Sequence, residues 1–201
     1  MSNTLVMPGY RISEYRLIVP LSEALQQTVM QVRKELYERY RLPVPFEINP
    51  SLTILHFHAY EGMEPKLLER IQQVATRNQA FKVELQNFAA YPSHTIYIHV
   101  PTRSPFNELT KELKVIKSLT KVPDHDPHFI NEPHLLIAQK LKPFQFTRMW
   151  MDCEHTQFTG RFTATSMVLL KRNVGTTHYE ELRRFEFASL AHCIKQGTLF
   201  G

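Results

Sequence analysis

Two segments of the sequence begin alike, and both carry side chains that could do chemistry. One begins Pro-Ser-Leu-Thr at position 50, and the other begins Pro-His-Leu-Leu at position 133. Residues two apart in a strand point to the same face. Ser51 therefore shares a face with Thr53, and His134 shares one with Leu136. Imidazole titrates near neutral pH, with an unperturbed pKa of about 6.5, which makes His134 a candidate acid or base.

The two segments are predicted to be strands within a repeated order of elements. Alternating apolar residues predict strands, and apolar residues at helical spacing predict helices. The predicted strands cover residues 15–20, 51–60, 81–88, 95–100, 134–141, 162–170 and 185–190. The predicted helices begin after Ser22, at Pro65, at Ser104-Pro105 and at Pro143. The order is β-α-β-α-β followed by β-α-β-α-β-β, which indicates the α+β class. Two similar halves predict a single bilobal domain over residues 1–201, with two pseudo-symmetric lobes, antiparallel sheets flanked by helices, and a central cleft.

Composition narrows the class of protein. Hydrophobic residues make up 43% and charged residues 21%, as in ordinary globular proteins. No apolar run approaches the roughly 20 residues that a membrane span needs. The net charge of +5 favours anionic partners such as nucleotides or phosphoesters. Cys153 and Cys193 are too few for a disulfide framework, and residues 1–11 lack an apolar signal core, so we expect a cytoplasmic monomer that does not bind membranes.

The paired strand starts, about 80 residues apart within this order of elements, resemble those of the two-histidine (2H) phosphoesterase superfamily. This superfamily includes the 2′-5′ RNA ligase and cyclic phosphodiesterase families, and the resemblance covers residues 15–190. Its members carry two Pro-His-x-Thr strands that face each other across a cleft. One imidazole removes a proton from the attacking hydroxyl or water, the other protonates the leaving oxygen, and the threonine hydroxyls bond the phosphate. The resemblance implies a metal-independent phosphodiesterase without cofactor, acting on 2′,3′-cyclic or 2′-5′ linkages. Its partner is a nucleotide, a cyclic phosphate or an RNA end.

The chain departs from this pattern at three positions. Ser51 stands where the family has its first histidine, Leu136 where it has its second threonine, and Gln139 where many members have a basic residue. The family's catalytic roles therefore fall only to Thr53 and His134. A serine hydroxyl hardly ionises near neutral pH, and losing a general acid or base costs roughly 10²–10⁴ in rate. We expect weak or lost phosphodiesterase activity, and the leading alternative is a non-catalytic binding or interaction protein on the same fold.

Five further residues are predicted to contact the substrate. Ser51 is expected to line the cleft, and Tyr97 and His99 occupy the polar face of the strand over residues 95–100. Lys171 and Arg172 end a strand and could clamp a phosphate, arginine in bidentate fashion. An open, basic cleft would favour binding, whereas a cleft closed by apolar side chains would indicate a structural relic.

The remaining histidines form two groups. Strand parity places His56 and His58 on the face opposite Ser51 unless a bulge intervenes, which makes them poor replacements for the missing histidine. With His125 and His128 they could hold a transition metal, which would make the protein a metal-dependent hydrolase. Nothing in the sequence brings the two groups together, so no metal ligands are predicted.

Overall fold

The computed structural model of the protein describes residues 9–42 and 49–188. Within these ranges the strands are β1 (Ile12–Pro20), β2 (Ser51–Tyr60), β3 (Phe81–Tyr91), β4 (Thr95–His99), β5 (His128–Phe129), β6 (Leu135–Ala138), β7 (Thr159–Ala164), β8 (Ser166–Asn173) and β9 (Glu180–Glu186). The α-helices are α1 (Glu23–Tyr40), α2 (Glu64–Arg77), α3 (Ser104–Leu113) and α4 (Pro143–Cys153). Proline lies in the first turn of α2, α3 and α4, where its missing N–H costs nothing.

The strands form two antiparallel sheets. Their orders are β5-β2-β1-β8-β9 and β6-β4-β3-β7. The predicted α+β class, with antiparallel sheets and helices, is confirmed. Each half of the chain contributes strands to both sheets, because β8 and β9 return to pair with β1. The strands that contain the two similar strand starts, β2 and β6, are here called the motif strands. They lie in different sheets, which allows them to face each other.

The strand predicted over residues 162–170 is two strands. β7 is an edge strand whose residues alternate between buried and exposed, whereas β8 lies between β1 and β9 and begins with four consecutive buried residues. The chain changes sheets at Thr165, so the pattern changes from alternating to continuously buried. The last strand also begins earlier than predicted, at Glu180, and residues 189 and 190 of that prediction lie outside the described ranges.

One apolar core joins the two sheets and the helices. Its largest members include Tyr15 and Phe57, whose rings are fully buried and stacked at 5.1 Å between centroids. Cys153 is a buried free thiol, and burial raises its pKa to about 11; Cys193 lies outside the described residues. No helix in the described part of the chain is long and apolar enough to cross a membrane.

Candidate functional site

A bulge in β2 decides which side chains share its open face. Leu17 of β1 pairs with Leu55, but Ile18 pairs with Thr53, so Ile54 is an extra residue on β2. Ile54 and Leu55 are both buried, and the alternation changes phase between them. His56 therefore lies on the same half-buried face as Thr53. The prediction that parity places His56 and His58 opposite Ser51 is wrong, because a bulge breaks the period of two.

A cavity of about 600 Å³ lies between the two motif strands. Ser51, Thr53 and His56 line it from β2, and His134, which immediately precedes β6, lines it together with Leu136 of β6. Further lining residues come from β1, β8 and α1, namely Glu14, Arg16, Arg172, Met30, Arg33 and Tyr37. The fold thus brings both strand starts to one site, although they are far apart in sequence.

Three predicted contact residues lie outside this cavity wall, two of them on β4. The ring of Tyr97 packs against that of His134, with 4.9 Å between centroids, and also against Tyr91 at 4.8 Å. His99 is half-buried on β4, where it pairs with Gln86. Tyr97 therefore supports the His134 ring from outside, and His99 is not among the residues that line the cavity.

The third of these residues is Lys171, which points away from Arg172 on β8. Arg172 lines the cavity, whereas the Lys171 ammonium lies 2.9 Å from Glu61 and 2.5 Å from Glu64. Neighbouring strand residues must diverge in this way because side chains alternate. Burial lowers the pKa of Lys171, but hydrogen bonds to Glu64 and Glu61 outweigh it and the net pKa is raised. Lys171 is therefore a charged structural residue on the far face of the sheet.

Because Lys171 lies outside the cavity wall, replacing it by methionine is expected to change the affinity of any ligand bound in the cavity by no more than about twofold. The ammonium is half-buried and paired with two carboxylates, so the same change should lower the free energy of unfolding by about 1 kcal/mol. Calorimetric titration and thermal unfolding separate the two effects. A tenfold loss of affinity in a folded K171M variant would place Lys171 in the binding site instead.

A buried carboxylate organises the β1 side of the cavity. Glu14 accepts hydrogen bonds from Arg172 at 2.7 and 2.8 Å and from the Tyr179 hydroxyl, and it lies 2.6 Å from Nε2 of His56. Burial raises the pKa of Glu14, but hydrogen bonds from Tyr179, His56 and Arg172 lower it to about 2. Glu14 is therefore ionised at neutral pH and holds both the imidazole and the guanidinium in place.

The lining of the cavity is strongly cationic. Arg16, Arg33, Arg172 and Lys140 line it, and Glu14 is the carboxylate among the lining residues. Burial lowers the pKa of Arg33, yet a guanidinium stays charged in proteins, and its Nε donates to the carbonyl of Leu136 at 3.0 Å. Leu136 lines the cavity, and a cation lies against its backbone carbonyl, at the position where the family has a threonine.

His134 stands in a partly apolar setting. Burial lowers its pKa, with the backbone of Glu132 acting in the opposite direction. Nδ1 is buried and has no hydrogen-bond partner of good geometry in the described part of the chain. The imidazole is therefore largely neutral at pH 7. In this form it can accept a proton or a hydrogen bond, which suits a base better than an acid.

The two histidine groups are neighbours in the folded chain. His58 stacks on His125 with 4.1 Å between ring centroids, and His56 pairs with His128 across β2 and β5. Even so, no group of three or more His, Cys, Asp or Glu side chains in the described ranges is placed to hold a metal ion.

Sequence reasoning missed Glu14, Arg16, Arg33 and Tyr179. A signal was present in β1, where two charged residues at positions i and i+2 interrupt an otherwise apolar strand. Residues two apart must share a face, and burying charges in a central strand requires partners or a ligand. Arg33 and Tyr179 gave no such signal, since they reach the site only through the packing of α1 and the loop before β9.

Comparison with known proteins agrees with this geometry. Residues 21–176 match the family model described as the 2′-5′ RNA ligase superfamily. Among solved structures, E. coli LigT complexed with NADP+ is 14% identical, with 88% of this chain and 99% of that one covered and a TM-score of 0.58. The protein TT0787 of Thermus thermophilus is 14% identical over 88% of this chain and 99% of its own, with a TM-score of 0.64.

At this level of identity the structural likeness shows the fold alone. No curated protein matches the chain. The family match spans more than half of the sequence and includes both strand starts that line the cavity. The chain belongs to the 2′-5′ RNA ligase superfamily of 2H phosphoesterases.

Proposed function

We propose that the protein binds a nucleotide, a cyclic phosphate or an RNA end in the cavity between β2 and β6, and that its metal-independent phosphodiesterase activity is weak or lost. Thr53 is the phosphate-bonding hydroxyl and His134 the remaining acid or base. Ser51 and Arg172 complete the contacts to the ligand. A non-catalytic binding protein is the limiting case of the same proposal.

The observation that carries the proposal is an open cavity with a surplus of cations. Its volume of about 600 Å³ falls within the range of small-molecule sites. Four cationic side chains and one carboxylate line it, and guanidinium groups are well suited to bind phosphate oxygens in bidentate fashion. A relic kept only for folding would have no need to hold these charges around an open space.

Ligands in related structures support the same class of partner. E. coli LigT has been crystallised with 3′-AMP and, separately, with phosphate. The first structure is 12% identical to this chain with a TM-score of 0.58, and the second is 13% identical with a TM-score of 0.60. The two proteins share the arrangement of sheets that forms the cavity. A phosphate-bearing ligand in the cavity is therefore the simplest expectation for this chain.

Weak catalysis follows from the side chains at the two family positions. In-line displacement at phosphorus needs a base for the attacking hydroxyl or water and an acid for the leaving oxygen. His134 can take one role, but the Ser51 hydroxyl can take neither near neutral pH. Leu136 has no hydroxyl with which to bond the phosphate, unlike the threonine that the family has at this position. The missing acid or base alone lowers the rate by roughly 10²–10⁴.

The Thr53→Val variant tests the binding site directly. It keeps the shape of the side chain and removes the hydroxyl, and a hydrogen bond to a charged group is worth about 1.5–3 kcal/mol. We expect calorimetric titration of 2′,3′-cyclic AMP, with EDTA present, to show at least a tenfold weaker affinity. T163V, at an exposed position on β7, is the matched control and should bind like the native protein.

The same samples decide between a slow enzyme and a pure binder. Cleavage of the cyclic ligand that disappears in H134A would identify a slow enzyme. Binding without cleavage would identify a binding protein. Absence of binding in the native protein, or equal affinities of the native protein and T53V, would contradict the proposed site.

A further inference from the structure

Arg16 is a cation that the residues described by the structure satisfy only in part. It lies on the central strand β1, lines the cavity and is half-buried. Its Nε is buried without a hydrogen-bond partner in the described ranges, while its Nη2 donates a long hydrogen bond of 3.4 Å to the Tyr179 hydroxyl. An unsatisfied buried donor on a charged group is unfavourable, so a site that keeps one is suited to an anionic ligand.

Arg172 adds a second positive charge beside it. The guanidinium carbons of Arg16 and Arg172 each lie 4.6 Å from the ring centroid of Tyr179. Glu14 is engaged in a bidentate pair with Arg172, and no ion pair of Arg16 occurs among the residues that the structure describes. Two guanidinium groups on one aromatic ring, balanced by a single carboxylate, leave net positive charge that an anion would offset.

The position of this pair relative to Thr53 suggests the spacing of the ligand. Ile18 is the β1 residue opposite Thr53, and Arg16 lies two residues further along the same strand, opposite His56. With a rise of about 3.3 Å per residue, the two positions are separated by about 7 Å along the strand. Successive phosphates along a single-stranded oligonucleotide have a comparable separation.

We propose that Arg16 and Arg172 form a second phosphate-binding subsite, so that the preferred ligand carries two phosphate groups rather than one. The inference rests on the proposed function, which places the first phosphate at Thr53 and His134. The second group is either the next phosphate of an oligonucleotide or the other phosphate of a nucleoside bisphosphate. In either ligand the second phosphate carries one or two negative charges, which the same guanidinium groups can bind. The test below separates the two ligands.

Three adenine ligands, titrated calorimetrically with EDTA present, test the subsite. They are 3′-AMP, adenosine 3′,5′-bisphosphate, and the dinucleotide ApAp with a terminal 3′-phosphate. The native protein should bind at least one two-phosphate ligand ten times or more tighter than 3′-AMP. A gain for ApAp identifies an RNA end, whereas a gain confined to the bisphosphate identifies a free nucleotide.

The Arg16→Gln variant should remove this gain, because it should weaken the two-phosphate ligands by at least tenfold more than it weakens 3′-AMP. R16K, which keeps the charge but not the Nε donor, should retain part of the gain. R161Q is the matched control, since Arg161 is exposed on β7 and pairs with Glu84 at the surface. Thermal unfolding of each variant establishes that it is folded at the temperature of the titration.

Failure of the subsite is distinguishable from failure of the proposed function. Equal affinities for all three ligands in the native protein would overturn the subsite alone, as would an R16Q variant that weakens 3′-AMP as much as the others. Absence of 3′-AMP binding by the native protein, together with absence of binding by the two-phosphate ligands, would overturn the proposed function and the subsite with it.

Discussion

Replacing Ser51 by histidine is expected to raise the rate of 2′,3′-cyclic nucleotide hydrolysis by about 10²- to 10⁴-fold, the usual contribution of a general acid or base. Ser51 is half-buried and lines the same cavity as His134. The cavity has a volume of about 600 Å³, which leaves space for an imidazole. The introduced ring supplies the proton transfer that serine cannot perform. Release of the ring-opened nucleotide, followed chromatographically with EDTA present, measures the gain.

Two variants separate this explanation from a change of shape. S51N has a side chain of similar polarity that does not titrate near pH 7, and it should show no gain. The double variant S51H/H134A should lose the gain, because the mechanism needs both imidazoles. A gain that survives removal of His134, or that S51N reproduces, would contradict the paired role of these two positions.

Replacing Glu14 by glutamine is expected to lower the free energy of unfolding by about 3 kcal/mol, which corresponds to a fall of roughly 6–12 °C in the thermal midpoint. Glu14 is 7% exposed and bonds Arg172, Tyr179 and His56. The amide cannot balance the Arg172 guanidinium, so the substitution leaves a partly buried charge without its partner. Chemical or thermal unfolding at pH 7 measures the loss.

The pH dependence of that loss gives an independent check. The pKa of Glu14 is lowered from 4.5 to about 2 in the folded protein, so its ionisation stabilises the fold above pH 4.5. This stabilisation disappears as the pH falls through about 2. The difference between the native protein and E14Q should therefore be constant above about pH 5 and shrink below it. A difference that is independent of pH down to about 2.5 would show that Glu14 acts through packing alone.

E84Q is the matched control for this substitution. Glu84 pairs with Arg161 at 3.3 Å, but the arginine side chain is 84% exposed. Exposed ion pairs contribute little, and the variant should unfold within about 0.5 kcal/mol of the native protein. A comparable loss in E84Q would attribute the effect of E14Q to net charge rather than to the buried cluster.

Much of the fold follows from local periodicity in the sequence. The predicted strand over residues 51–60 coincides with β2, and the prolines predicted to begin helices lie in the first turns of α2, α3 and α4. The segment over residues 162–170 is predicted as one strand because it contains no glycine, proline or other turn signal. Only tertiary packing shows that the chain leaves one sheet at Thr165 and enters the other.

The site was harder to predict than the fold. The resemblance between the two strand starts points to Ser51, Thr53 and His134, which do line one cavity. The face on which His56 lies depends on a one-residue bulge. The bulge reverses the face occupied by every later residue of β2, and it leaves no distinct mark in the sequence. Arg33 reaches the cavity from α1 and could not be assigned without knowing how that helix packs.

A crystal structure of the protein with 3′-AMP tests the central claim most directly. We predict that the phosphate lies between β2 and β6, with the Thr53 hydroxyl and the His134 imidazole within hydrogen-bond distance of its oxygens. Nucleotide bound elsewhere on the surface, or a cavity without nucleotide at saturating concentration, would contradict the account.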